Sequence, residues 1–280
     1  MVGQSTGSTL GRVTVYGLLI LLSIIFVMPL YWLVTNSLQL VGSSSSFLPG
    51  GLHFENYYYA ATLIDYWSYT KSSIILTSIS VVIPTLTSAL VGFGFARLRG
   101  PGKGFLFMMM LSTMMLPGIV TQIPTYVIFF KLGFLNTYWP WLFWALGGSA
   151  FSIFLYRQFF SSFPKDLEEA ARIDGCSTFR IFWNIFMPIS FPVIATVSIL
   201  SFNGSWGGDY LTPFMFLQDD KYPLATALFS VGYAFPGDQR IEMTQVLNAG
   251  LVMFVLPIIV VFFIGQRYLV EGVVSSAVKG

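Results

Sequence analysis

The residues best placed to do work form one charged stretch, Glu169-Ala170-Ala171-Arg172-Ile173-Asp174-Gly175, with Ile185 and Pro188 following at a distance. Pro164 suits the first turn of a helix. Asp166, Glu168 and Glu169 then lie near its amino end, where the helix dipole favours negative charge. Ala170 and Ala171 are small enough to let another backbone come close. Gly175 suits the left-handed residue that ends a helix, and Ser177 can cap the next. That second helix carries Phe179, Ile181, Phe182, Trp183, Ile185 and Phe186 and stops near Pro188. It is too apolar for a free surface and must bury against a membrane bundle, a lipid interface or another protein. Such a helix-turn-helix can dock and transmit movement, or lie in the interface as an amphipathic segment.

Bond-making chemistry has little material. His53 is the single histidine and Cys176 the single cysteine, so neither a histidine metal site nor an internal disulfide can form. Gly100-Pro101-Gly102-Lys103-Gly104 lacks the spacing and the Ser/Thr of a nucleotide-binding P-loop. No acidic residue falls well inside an apolar run, whereas proton- and ion-driven carriers usually keep ionisable groups at membrane depth. Any energy for work is therefore expected to come from outside the chain.

Composition says what holds the insert. The chain has 280 residues, 55% hydrophobic and 9% charged, with a mean hydropathy of +0.74. Soluble domains carry about 25% charged residues, so the sequence reads as an all-α, polytopic membrane protein. A net charge of +2 implies no nucleic-acid surface. A span needs about 20 mostly apolar residues, and six runs are candidates: 13–38, 72–96, 104–130, 132–156, 189–205 and 243–266. The fifth is short and runs into Asn203-Gly204-Ser205-Trp206-Gly207-Gly208, which weakens a helix. The first is too long for a signal-peptide core and lacks a cleavage site. Residues 1–12 form a loose N-terminus, 13–280 a single membrane domain, and 159–188 the loop carrying the insert.

Six spans put both termini on one side. Ten basic residues (Arg12, Arg97, Arg99, Lys103, Arg157, Lys165, Arg172, Arg180, Arg267 and Lys279) fall on that side, and four (Lys71, Lys131, Lys221 and Arg240) on the other. The positive-inside rule makes the first side cytoplasmic, and the Glu169 insert with it. Pro29, Pro84, Pro117, Pro124, Pro192 and Pro257 fall in the runs, as ordinary kinks or as bends around a central cavity. Asn203, Gln245 and Asn248 are candidates for a translocation path, or for helix–helix hydrogen bonds. The many aromatics suit interfacial belts and lipid contact more readily than sugar stacking.

The insert also resembles a family signature. Glu-Ala-Ala, three residues, Gly, nine residues, Ile, one residue and Leu-Pro marks the permease subunits of binding-protein-dependent ABC importers. Here it reads Glu169-Ala170-Ala171, Gly175, Ile185-Phe186-Met187-Pro188, with Met187 in place of Leu. Further stretches resemble the carbohydrate-type permeases, in particular the G-type subunit of the maltose transporter. They are Ala96-Arg97-Leu98-Arg99, Met115-Leu116-Pro117, Ile123-Pro124-Thr125-Tyr126, Lys131 to Thr137, Phe163 to Ala171 and the tail Gly272 to Gly280.

The resemblance implies a type I ABC importer permease with six transmembrane helices and a cytoplasmic coupling helix. The ATPase-coupling residues would be Glu169, Ala170, Ala171, Asp174, Gly175, Ile185 and Pro188. Trp206, Asp209 and Tyr210 would contact the binding protein, although the usual Trp-Asn-Glu-Tyr/Phe run here reads Trp206-Gly207-Gly208-Asp209-Tyr210. The implied partners are a second permease, an ATPase dimer, an extracytoplasmic solute-binding protein, membrane lipid and a carbohydrate, an oligosaccharide or related polyol. ATP and magnesium would sit on the ATPase subunits, with no cofactor or metal on this chain, no enzymatic activity of its own, and a location in the cytoplasmic membrane of a prokaryote. The rival readings are an ATPase-independent channel, an ion-coupled carrier, and a membrane scaffold recruiting a cytoplasmic partner.

Overall fold

A computed structural model describes residues 9–48, 50–233 and 243–277, with side chains for 11–48, 50–233 and 243–268. Most of the N-terminal stretch 1–12, the basic residues Arg240 and Lys279, and the last three residues of the tail lie outside the described residues. Helices account for the regular structure and no strand occurs among the described residues.

The helices run in order α1 (Thr9–Ser37), α2 (Glu55–Thr62), α3 (Tyr66–Arg97), α4 (Lys103–Thr113), α5 (Gly118–Lys131), α6 (Trp139–Gly147) and α7 (Ala150–Ser161). They continue with α8 (Asp166–Ile173), α9 (Thr178–Ile181), a π-helical turn (Phe182–Phe186), α10 (Met187–Ile189) and α11 (Phe191–Trp206). The last are α12 (Leu211–Phe216), a 3₁₀ turn (Asp219–Lys221), α13 (Leu224–Ser230) and α14 (Thr244–Ala277). Among the described residues, α1, α3 and α14 are each long and apolar enough to cross a membrane. Two bent pairs, α4 with α5 and α9–α10 with α11, bring the number to five if each is one span.

The run Gly104 to Phe130 is thus two helices, bent by 97°. Pro117 sits at the break in an extended conformation, φ −60° and ψ 131°; it has no N–H to donate and disfavours a helical residue before it. The run 132–156 is also divided. α6 ends at Gly148, whose φ is 70°, and Ser149 caps α7 by accepting from the Ser152 N–H at 3.5 Å. α3 satisfies the groups freed there: Thr87 Oγ1 donates to the Ala145 carbonyl at 3.1 Å and Ser88 Oγ accepts from the Ser149 N–H at 3.0 Å. The fifth run departs the other way. Its helix passes through Gly204 and ends only at Trp206, because one glycine in a tertiary-packed helix costs only about 1 kcal/mol. Pro29, Pro84, Pro124 and Pro257 lie inside helices, whereas Pro192 falls in the first turn of α11, where its missing N–H is unneeded.

The chain divides into two compact units, residues 1–66 with 232–255, and residues 67–231 with 256–280. In the first unit, Ala60, Met243, Val246 and Ala249 form a small core. Buried amides hold the loop after α1. Asn56 Nδ2 donates to the Ser37 and Gln39 carbonyls at 2.9 and 2.7 Å. His53 is spent locally: its Nδ1 lies 2.6 Å from Glu55 Oε1, and that hydrogen bond holds the exposed carboxyl below its ordinary range.

In the second unit, Ala89 and Phe93 of α3, Tyr156 and Phe160 of α7, and Val193 and Val197 of α11 share one core. α3 meets α7 at Gly92, where an added Cβ would stand 2.6 Å from the Tyr156 Cβ. Glycine is needed at that crossing for close approach rather than for a special φ.

Candidate functional site

The charged insert is built from the inside of the second unit outward. Lys165 occupies the N-cap position of α8 without a side-chain bond, so Pro164 stands just before the helix rather than within its first turn. Asp166, Glu168 and Glu169 occupy that first turn, complementing the dipole. Glu168 pairs with Arg172 one turn on, at 2.8 Å. Gly175 closes the helix at φ 78°. The Gly175 N–H donates to the Arg172 carbonyl at 3.0 Å and the Cys176 N–H to the Ala171 carbonyl at 2.9 Å, the paired bonds of a Schellman termination. Ser177 Oγ then accepts from the Arg180 N–H at 3.3 Å and starts α9.

Of the three surfaces open to the second helix, its own bundle takes one face. Ile181, Phe182 and Phe186 are buried with Ala171 against Phe93, Tyr156 and Phe160. Phe93 lies at the centre, its ring 5.3 Å from Phe182 and 5.0 Å from Phe186. The helix ends one residue past Pro188, as expected. Before that it widens into the π turn at Phe182–Phe186. Pro188 cannot donate to residue 184 and its ring would strike that carbonyl, so a wider turn relieves the clash.

The opposite face stays open. Glu169, Ala170, Asp174, Gly175 and Pro188 are exposed, Ile185 is half-buried and Ala171 is buried. Of the seven residues singled out from the sequence, Ala171 therefore faces inward, whereas Glu169, Ala170, Asp174 and Gly175 face outward. The same face holds an apolar group that sequence reasoning passed over: Ile173 is 87% exposed, the largest value of any bulky apolar residue described. Phe179 and Trp183, stacked with centroids 6.5 Å apart, are also exposed.

A second missed residue ties the insert to the bundle. Arg97, at the end of α3, donates from Nη2 to the Phe160 and Phe163 carbonyls at 2.7 and 2.6 Å. Its guanidinium also stands 5.1 Å from the centre of the Phe186 ring. One cation thus caps α7, steadies the approach to α8 and touches the π turn.

Away from the insert, the second unit carries an open cavity of about 700 Å³. Its wall combines Trp141 and Trp144 with Ser80, Gln122, Thr125, Ser201, Ser205 and Thr212. Asp209 is the one charged residue among those described as lining it. Asp209 Oδ1 accepts from the Thr212 N–H at 2.9 Å, and Gln122 Nε2 donates to Thr212 Oγ1 at 3.1 Å. Aromatic faces beside hydroxyls and amides suit a hydroxylated, uncharged solute.

The other sequence-derived residues are scattered. Trp206 is buried and stacks on Phe202 at 5.5 Å. Tyr210 is partly open, its ring 4.3 Å from that of Phe229. The cavity wall includes Gly204 and Ser205 but not Asn203, which is exposed. Gln245 and Asn248 belong to the first unit. Gln245 is buried with both ends bonded, accepting from the Gly42 N–H at 3.2 Å and donating to the Ser43 carbonyl at 2.7 Å; Asn248 is half-buried. No group of three or more metal-binding side chains occurs among the described residues.

Apolar helices too long for a soluble core, broken spans and one amphipathic, aromatic-backed insert define a multi-pass membrane permease. The chain belongs to the family described as binding-protein-dependent transport system inner membrane components, whose model matches residues 88–275. It is 34% identical to a probable ABC transporter permease protein, YurM of Bacillus subtilis, over 97% of this chain and 90% of that one. It is 30% identical to the arabinooligosaccharides transport system permease protein AraQ of Halalkalibacterium halodurans, over 89% and 85%. The fold matches a chain of the crystal structure of a bacterial ABC transporter involved in the import of the acidic polysaccharide alginate. There the TM-score is 0.81 at 23% identity, over 96% of this chain and 99% of that one. The architecture is that of a type I ABC importer permease.

Proposed function

We propose that this chain is one permease half of an ATP-driven importer for a carbohydrate, an oligosaccharide or related polyol, and that α8 is its coupling helix. The observation that carries the proposal is the two-sidedness of the insert. Glu169, Ala170, Ile173 and Asp174 lie open on one face, while Ala171, Ile181, Phe182 and Phe186 fix the other to the bundle core. A surface of that kind, rigidly backed and apolar at its centre, is built to receive a push.

In this reading both termini and the insert are cytoplasmic, in the cytoplasmic membrane of a prokaryote. The insert seats in a groove of an ATPase subunit that holds ATP and magnesium. A second permease completes the pathway, and an extracytoplasmic binding protein delivers the solute near Trp206, Asp209 and Tyr210. ATP closes the ATPase pair, α8 carries the displacement through the Phe93 cluster, and the spans alternate their access. The cavity at Trp144, Gln122 and Asp209 is the stretch of pathway this half supplies, with Asn203, Gln245 and Asn248 as further path candidates. Relatives named for arabinooligosaccharides, melibiose, raffinose and stachyose support the carbohydrate class.

The test is reconstitution of the whole complex in proteoliposomes. Glu169→Lys should abolish solute-stimulated ATP hydrolysis and uptake while the complex remains inserted. Uptake that persists without nucleotide would favour a channel or ion-coupled carrier. Assembly without any solute-stimulated hydrolysis would favour a scaffold.

A further inference from the structure

A second cavity, of about 590 Å³, lies beside the insert between the end of α3 and α8. Its wall holds five basic residues, Arg97, Arg99, Lys103, Lys165 and Arg172, against two acidic ones, Glu168 and Glu169. Among the described residues its one ion pair is Arg172 with Glu168. Arg97 is committed to two carbonyls and Lys103 donates to the Leu98 carbonyl at 2.7 Å. Arg99 and Lys165 are exposed, and among the described residues neither has a carboxylate within ion-pair distance. Like charges gathered at one concavity repel one another unless an anion sits among them.

The cavity wall reaches the start of an apolar helix at Lys103. α4 starts at Lys103, and within two turns it exposes Phe105 (60%), Leu106 (56%), Met108 (62%) and Met109 (51%). An acidic protein surface would satisfy the charges and leave that face bare, and a free phosphate would do the same. A molecule with an anionic head and two hydrocarbon tails satisfies both. We infer that this cavity holds the phosphate headgroup of an anionic phospholipid, its acyl chains lying along α4. Basic pockets between membrane helices at the cytoplasmic surface take such headgroups. Because Glu168, Glu169 and Arg172 belong to both the cavity and α8, the bound lipid flanks the docking face and tunes how firmly α8 is held. This last step rests on the coupling role proposed above; the binding itself does not.

The test uses the intact complex in nanodiscs of phosphatidylcholine with or without phosphatidylglycerol, and native mass spectrometry to count retained lipid. Phosphatidylglycerol should be retained selectively. The double variant Arg99→Gln/Lys165→Gln should lower its apparent affinity roughly thirtyfold, from about fivefold per basic residue. Lys131→Gln, a cation at the other end of the α4–α5 pair, should leave it unchanged. Equal retention in the double variant overturns the inference. So does displacement of the lipid by millimolar inorganic phosphate, which assigns the cavity to a soluble anion. Carbodiimide coupling of Lys165 to an ATPase carboxylate with no lipid retained overturns it in favour of a protein occupant. Loss of ATPase coupling in Glu169→Lys with lipid retention intact, or the reverse, separates the two proposals.

Discussion

Arg97 Nη2 lies 2.6 Å from the carbonyl oxygen of Phe163, 66 residues further along the chain, and the same nitrogen reaches the Phe160 carbonyl. The Phe160 carbonyl already accepts from the Phe163 N–H at 3.4 Å, and Arg97 adds a charged donor there and at the Phe163 carbonyl just past α7. A cation at a helix C-terminus also meets the negative end of its dipole. The approach to the insert is therefore pinned to the end of α3.

Removing that pin should loosen the insert without emptying the core. Arg97→Met keeps much of the apolar stem but loses two charge-assisted hydrogen bonds, at a cost of about 2–4 kcal/mol. Thermal unfolding of the purified complex should register that loss. ATP hydrolysis should become less dependent on solute, because α8 no longer moves with the bundle. Unchanged coupling at reduced stability would make Arg97 a structural cap only.

Gly175 gives a graded series. A Cβ there would meet no atom within 4 Å, but its φ is 78°. Gly175→Ala should therefore cost only the left-handed backbone penalty, about 1–2 kcal/mol, and lower coupled uptake partly. Gly175→Pro cannot adopt that φ and loses the bond to the Arg172 carbonyl, so uptake should vanish. Initial uptake rates that fail to fall in the order Gly, Ala, Pro would remove the turn from the coupling path.

Ile173 and Ala171 should separate docking from folding. Ile173 is almost fully exposed, so Ile173→Ala should change permease stability by no more than about 0.5 kcal/mol. As the apolar centre of a docking face it should weaken assembly with the ATPase by at least about 1 kcal/mol. Ala171 is buried, and Ala171→Leu should overpack the core by about 1–3 kcal/mol. Titration of the ATPase onto detergent-solubilised permease reads the first effect and thermal unfolding the second.

The α3–α7 crossing offers an internal control. At Gly92 an added Cβ would stand 2.6 Å from the Tyr156 Cβ and 3.1 Å from the Ile153 carbonyl oxygen, whereas at Gly94 it would meet nothing within 4 Å. Gly92→Ala should destabilise by about 1–3 kcal/mol. Gly94→Ala, two residues along the same helix, should be neutral or stabilising by up to about 1 kcal/mol. Paired melting curves decide it.

What the sequence disclosed follows the range of the interactions. The turn at Gly175 and the cap at Ser177 depend on bonds within five residues, and local chemistry is enough to read them. The break at Pro117 has an equally local cause, but the apolar run through it hides the break from any reading by hydropathy alone. The division at Gly148 depends on Thr87 and Ser88, about 60 residues earlier, and leaves no pattern in the run it divides. Arg97 reads as one more basic residue at a span end, because its partners are backbone carbonyls, which carry no side-chain signature. The cavity at Asp209 and Trp144 assembles five separated stretches, none of which carries a pattern of the whole.

Cys176 stands one residue past Gly175 and is the only cysteine in the chain. A spin or fluorescent probe attached through its sulfur would therefore report from the turn that ends α8. The native polypeptide supplies its own reporter at the place where force is expected to enter, with no competing thiol to engineer away.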